Sequence, residues 1–359
     1  MNLPVINAGV RAEAAGSDTP GAPVLAPLML ENIPALQDEV RALARERGAV
    51  ILAHNYQLPE IQDVADYVGD SLGLSQHAAR ADAGTIVFCG VHFMAETASV
   101  LCPDKRVLIP DLDAGCSLAD SITAEQLREW KAKFATARPI VVMYVNTTAE
   151  VKALTDYCCT SANAVDVVRH IYDTHGPDTE ILFGPDMWLG AYVEKELNRR
   201  MHVWDGECHV HAGIRPSDIE ATRAAHPGAD FLIHPECGCS TSVMEYVAAG
   251  DVSSEGVHML STGGMLAYAE QAEARGPSER GERREAVVAT ETGMLYPLQI
   301  AAPDVDFIPA NAEASCMYMK MITLPKLRDA LRDMRYEVRV PTEIAVRARV
   351  PIDRMVAIG

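Results

Sequence analysis

The chain has 359 residues, 48% of them hydrophobic, which is enough for several cores, so two or three domains are expected. A formal net charge of -19 argues against a nucleic-acid partner or an anionic membrane surface, and no apolar run approaches the roughly 20 residues that a membrane helix needs. Nine cysteines without a basic-then-apolar export signal make a disulfide scaffold a poor fit and favour metal binding or catalysis in a cytoplasmic protein.

Residues 1–30 are rich in Ala, Gly and Pro and read as a flexible leader. Beyond them, three apolar runs rich in β-branched residues end abruptly in polar, chemically capable residues. They are Val50–Tyr56, Ile140–Asn146 and Phe231–Glu236. Runs of this kind look like parallel strands buried on both faces. His54, Tyr144 and His234 are 90 residues apart at each step.

The first run is followed by the polar turn Gly69-Asp70-Ser71, which opens a helix. A second strand is expected at Thr85–Gly90, and a third at Val107–Pro110 leads to Cys116. The second unit repeats this order with Cys159-Thr160-Ser161, Glu180–Gly184, Met201–Trp204 and Cys208. In the third the same features are Ser261-Thr262-Gly263, Ala286–Thr290, Val305–Pro309 and Cys316, with the charged stretch Ala274–Glu285 reading as a solvated loop. A helix follows each cysteine. Thr123 with Gln126 and Ser217 with Glu220 resemble capping boxes, and Leu327–Met334 precedes a final strand near Tyr336–Val340.

Strands alternating with helices predict parallel α/β units with right-handed crossovers. The units are expected at 31–118 (completed by 318–359), 119–209 and 210–317, in a pseudo-threefold arrangement. Ligands in such sheets bind beyond the carboxyl ends of the strands, so the three polar strand ends should share one cavity.

The same axis would bring Cys116, Cys208 and Cys316 together. Three thiolates around one centre suit a cuboidal iron–sulfur cluster or a zinc site; the cluster would keep one iron free in a cavity suited to substrate chemistry. Cys237-Gly-Cys239 is the tightest pair but has no counterpart in the other units, so a secondary thiol pair and a buried structural role both remain open. Cys89, Cys102, Cys158 and Cys159 are expected to be structural. The string Cys208-His-Val-His211 mimics half a zinc motif, with nothing to complete it at finger spacing.

Several strings are similar to those of the quinolinate synthase family. They are A-H-N-Y-Q at 53–57 with G-D-S at 69–71, Y-V-N at 144–146, C-T-S-A-N-A at 159–164, F-G-P-D-x-x-L-G at 183–190, H-P-E-C at 234–237, S-T-G at 261–263 and T-E-T-G-M at 290–294. The resemblance runs from about residue 31 to residue 359. It implies a pseudo-threefold trio of three-layer αβα domains around a central 4Fe–4S cluster held by Cys116, Cys208 and Cys316. It also implies a transferase of NAD biosynthesis that condenses iminoaspartate with dihydroxyacetone phosphate, with L-aspartate oxidase as a functional partner. The second cysteine of H-P-E-C-G-C occurs in only part of the family and leaves redox control open.

That chemistry needs a Lewis acid, acid–base groups and anion sites. Glu236 at a strand end is expected to do acid–base work, with His54 and His234 shuttling protons near neutral pH. Tyr144 should meet an enol or carbonyl oxygen, and Tyr56 and Asn146 should contact substrate. Ser71, Ser161 and Thr262 are expected at helix starts that favour carboxylate or phosphate. Two rivals are a different three-cysteine reductive dehydratase and a non-enzymatic iron–sulfur or thiol sensor.

Overall fold

The computed structural model describes residues 32–134, 138–249, 255–276 and 283–358. The leader and residues 277–282 of the charged stretch lie outside them. The first unit runs α1 (Ile33–Arg47), β1 (Ala49–His54), α2 (Pro59–Gln62), β2 (Tyr67–Gly69), α3 (Ser71–Arg80), β3 (Thr85–Cys89), α4 (His92–Leu101) and β4 (Arg106–Leu108). The second follows with α5 (Ala124–Lys133), β5 (Ile140–Tyr144), α6 (Ala149–Lys152), β6 (Tyr157–Cys159), α7 (Ala164–His175), β7 (Ile181–Gly184), α8 (Met187–Leu197) and β8 (His202–Val203). The third has α9 (His209–Ala212), α10 (Pro216–Ala225), β9 (Asp230–Ile233), α11 (Ser240–Ala249), β10 (Val257–Met259), α12 (Thr262–Arg275), β11 (Arg284–Ala289), α13 (Leu295–Ala301) and β12 (Val305–Pro309). Three helices close the chain: α14 (Met317–Lys320), α15 (Leu324–Asp333) and α16 (Thr342–Ile358).

The strands form three parallel four-stranded sheets of one topology, ordered β2-β1-β3-β4, β6-β5-β7-β8 and β10-β9-β11-β12. Each unit therefore holds one strand more than the apolar runs predict. The extra strands β2, β6 and β10 are three residues each, and β2 exposes Tyr67 and Val68, so no apolar run marks it. They matter to function through register. β1 pairs with β2 as His54 to Gly69, and β5 pairs with β6 as Tyr144 to Cys159. Each first-strand terminus thus stands beside the polar turn of its own unit.

The helix after each cysteine packs on the next sheet. Leu127 and Trp130 of α5 join Val141, Met143 and Leu182 in one buried cluster. Ile219 of α10 packs with Phe231 and Ile233. α15 lies against α1 and β3, which returns the chain to the first unit. There the Tyr336–Val338 segment lines the free edge of β4, with Ile109 N–H donating to the Tyr336 carbonyl (2.9 Å) and Val338 N–H to the Val107 carbonyl (2.9 Å). α16 then packs on α4, α6 and β6, bridging the first two units.

The capping box on α5 forms as expected, with Thr123 and Gln126 serving each other. The second does not. The cap falls two residues before Ser217, on Arg215, because Pro216 takes the first helical position and Asp218 accepts the Arg215 N–H at 2.9 Å. No helix of the described residues is long and apolar enough to cross a membrane.

Candidate active site

The carboxyl ends of all three sheets open into one cavity of about 70 Å³. The first unit lines it with His54, Tyr56, Ser71 and Cys116, and the second with Tyr144, Asn146, Ser161 and Cys208. The third contributes His234, Glu236, Thr262 and Cys316. Residues from 54 to 316 thus meet in one place because three strand ends and three cysteine loops converge there.

Local backbone geometry fixes the two strand-end histidines in the same way. His54 Nδ1 accepts the Tyr56 N–H (3.1 Å), and His234 Nδ1 accepts the Glu236 N–H (3.3 Å). With Nδ1 occupied as an acceptor, a neutral ring carries its proton on Nε2. His234 Nε2 then donates to Ser161 Oγ at 3.1 Å. Burial lowers both histidines to about 3, which leaves each ring neutral with an Nε2–H to donate.

Glu236 is buried and surrounded by donors. The Tyr144 hydroxyl donates to Oε1, and His211 Nδ1 lies 3.2 Å from Oε2 in a close ion pair. Burial by itself disfavours the carboxylate, but His211 and His234 outweigh it and hold the carboxyl below its usual range. Burial also works against a charged His211, yet Tyr56, Cys208 and Glu236 push its pKa up. Tyr144, buried beside that carboxylate, stays a phenol. The other ring nitrogen of His211, Nε2, is 2.9 Å from Thr290 Oγ1, which in turn lies 2.6 Å from the Tyr56 hydroxyl. One continuous polar chain therefore links Tyr56, Thr290, His211, Glu236 and Tyr144 across all three units.

Sequence reasoning weighed His211 only as part of half a zinc motif and set it aside, and it did not single out Thr290. The signal for His211 was its place three residues after Cys208: the single turn of α9 swings it back under the cysteine. Cys208, His211 and Glu236 offer donor atoms within 4.8 Å of one another.

All three cysteine loops dock by one device. The carbonyl two residues before each cysteine accepts a backbone N–H from the start of the helical segment after β3, β7 or β11: His92 to Ala114 (2.8 Å), Met187 to Gly206 (2.8 Å) and Thr292 to Ala314 (2.8 Å). In two units the residue just before that N–H is a buried acid that also holds the cysteine. Asp186 Oδ2 accepts the Cys208 N–H at 3.3 Å, and Glu291 Oε1 accepts the Cys316 N–H at 2.8 Å. Lys320 Nζ balances Glu291 at 3.0 Å and donates to the Tyr56 carbonyl. The first unit has Val91 instead. Burial raises the Cys116 and Cys316 thiols, and neighbouring cysteines add to both shifts. Three thiols placed to repel one another as anions are a donor set suited to a shared cation or cluster.

The anion sites differ from their expected form. Thr262 is the first residue of α12, capped by the neutral Ser261 hydroxyl at 3.2 Å from Gly264 N. Ser71 likewise opens α3, but there Asp70 Oδ1 already takes the Gly73 N–H at 2.8 Å. Ser161 does not open a helix: Asn163 Oδ1 accepts the Thr160 N–H at 2.8 Å, which holds 160–163 as a turn before α7. Cys237 and Cys239 are joined in a disulfide and are fully buried, leaving no face for an external thiol.

The two neutral histidines set an acid limb for stability. Each binds its proton in the unfolded chain from pH 6.5, its ordinary value, but in the folded protein only near 3. A depressed folded pKa means that the stability is complete above pH 6.5 and is lost as pH falls towards 3, at up to about 1.4 kcal/mol per pH unit per histidine. His234→Gln should flatten the dependence of the urea midpoint on pH over the upper part of that range by one such contribution. An unchanged slope would mean that His234 is charged in the folded state.

The chain matches the family model described as quinolinate synthetase A protein over residues 38–357. It is 56% identical over 322 residues to a quinolinate synthase of Mycobacterium sp. (strain KMS), covering 89% of this chain and 91% of that protein. Quinolinate synthase of Mycolicibacterium paratuberculosis is also 56% identical, and that of Mycobacterium tuberculosis (strain ATCC 25618 / H37Rv) 55%, each with 89% of this chain and 88% of the relative covered.

Proposed function

Since this chain belongs to the quinolinate synthetase A family, we propose that it condenses iminoaspartate with dihydroxyacetone phosphate to quinolinate, releasing phosphate and two waters, in NAD biosynthesis. The observation that carries the reading is the meeting of one cysteine and one set of strand-end polar groups from each unit in a single cavity. Cys116, Cys208 and Cys316 hold a 4Fe–4S cluster. When bound, such a cluster supplies an iron free of cysteine that acts as a Lewis acid toward a substrate carboxylate, nitrogen or hydroxyl. A single ion on Cys208, His211 and Glu236 is the competing use of the donors. It would tie up the one carboxylate paired with both Tyr144 and His211, and it would leave Cys116 and Cys316 without a partner.

The protein's own groups supply the rest. The Glu236–His211 pair holds one proton between a carboxylate kept low and an imidazole kept high. It can take a proton from a substrate carbon or nitrogen and return it to a departing hydroxyl. Tyr56 and Thr290 continue that path away from Glu236. The neutral Nε2–H groups of His54 and His234, with the Tyr144 phenol, donate to carbonyl or enol oxygens without needing a charge. The α12 start at Thr262 and the Thr160–Ser161 turn are the better seats for phosphate or carboxylate, because Asp70 already occupies the N-terminus of α3.

Iminoaspartate is short-lived in water, so an L-aspartate oxidase in the same cytoplasm is the natural source of it. The test is anaerobic purification, measurement of iron and acid-labile sulfide, and a quinolinate assay with iminoaspartate generated in place. Cluster-loaded protein should make quinolinate with no added reductant. A loaded protein that needs a reductant and yields a deoxygenated product would identify a reductive dehydratase instead.

A further inference from the structure

Among the described residues Lys152 is the largest charged side chain buried without access to solvent, and the chemistry above does not use it. It closes α6, directly below the loop that carries Tyr144 and Asn146 to the cavity. Its Nζ donates to the Thr147 carbonyl. The first unit has the same construction at the 90-residue offset that relates His54 to Tyr144. There Gln62, closing α2, donates from Nε2 to the carbonyls of Gln57 (3.0 Å) and Asn55 (3.1 Å). Position 57 answers to 147, and 62 to 152. One buried donor therefore secures each strand-end loop from beneath, an amide in one unit and an ammonium in the other.

The ammonium has a second set of neighbours, and these belong to the first unit. It sits 5.3 Å from the Phe93 ring centre, and Phe93 itself lines the cavity. Burial lowers the Lys152 pKa, and Cys158 and Glu96, one turn along α4 from Phe93, oppose that shift without reversing it. Glu96 Oε2 also accepts the Ala149 N–H at 3.0 Å, holding the start of α6. The loop is thus fixed against its own helix and against the neighbouring unit at once. Asn146 Oδ1, buried on that loop, has no partner in the protein.

We propose that Lys152 is a positioning residue: it holds the Thr147 carbonyl, and through it the Tyr144–Asn146 end of β5, in register with the first unit's side of the cavity. Its kinetic consequence rests on the quinolinate reading; its structural consequence does not. Lys152→Met removes the donor and keeps the bulk, while Lys152→Gln restores a donor of the kind that Gln62 supplies. In the cluster-loaded enzyme, Lys152→Met should lower kcat/KM by about 10- to 100-fold, the scale of a misplaced binding group, with iron content unchanged. Lys152→Gln should recover most of that loss. Hydrogen exchange of the amides at 145–148, followed without substrate, should quicken in Lys152→Met and return to the wild-type rate in Lys152→Gln. Wild-type exchange in Lys152→Met, or equally fast exchange in both variants, overturns the proposal. If Lys152→Met does not accumulate folded, Lys152→Gln alone decides: native exchange supports the assignment and fast exchange defeats it. A wild-type enzyme that makes no quinolinate would defeat the functional reading and leave the exchange result standing.

Discussion

Glu236→Gln should leave a folded, cluster-loaded protein whose kcat is reduced by at least about 100-fold, the usual contribution of a positioned general acid–base group. The substitution keeps the shape of the side chain but removes the charge that pairs with His211 at 3.2 Å and accepts from Tyr144. Without that anion His211 loses one of the groups that raise its pKa and its partner in holding the proton, so the pair no longer works as a unit. Two measurements decide it: quinolinate turnover and iron per chain. A variant with full iron and wild-type turnover would remove Glu236 from the chemistry. One that loses iron as well would favour the ion site on Cys208, His211 and Glu236 over the three-cysteine centre.

Replacing any one of Cys116, Cys208 and Cys316 with alanine should abolish retention of a four-iron centre after anaerobic reconstitution. Activity should fall by about a thousandfold or more, the equivalent of several kcal/mol of lost charge stabilisation. Cys102→Ala and Cys158→Ala are the controls and should keep both iron and turnover, since both side chains are buried and neither lines the cavity. The three active-site variants should not behave alike in every respect. Asp186 and Glu291 accept the amides of Cys208 and Cys316, whereas Val91 does nothing of the kind for Cys116. Intact cluster absorption in any of the three would refute the ligand set.

The parts of the site that were legible in the sequence sit at the ends of apolar runs or recur at the same place in each unit. A polar residue closing a buried strand is conspicuous, and three such closures 90 residues apart can be counted directly. His211, Thr290, Asp186, Glu291 and Lys152 were not legible because their meaning depends on closing the ring. Asp186 and Glu291 cap the helical segments they precede, and only the return of the cysteine loops gives each a second role. The fourth strand of each sheet escaped notice for a different reason: three residues are too few to show a period, and in β2 two of them face solvent. Ser161 misled because its neighbours Thr160 and Asn163 bond to each other and delay the helix. The histidines were correctly located by pattern, but their protonation depends on burial, which pattern does not report.

The passing of a helix from each unit to the next has a thermodynamic meaning. α5 covers the second sheet, α10 the third, and α15 returns to the first, so no unit can separate without stripping a layer from its neighbour or losing one of its own. The three modules share one topology, yet the smallest part that could melt alone is larger than any of them. Their stabilities are pooled, and the cavity at their junction has the rigidity of the whole ring rather than that of its weakest member.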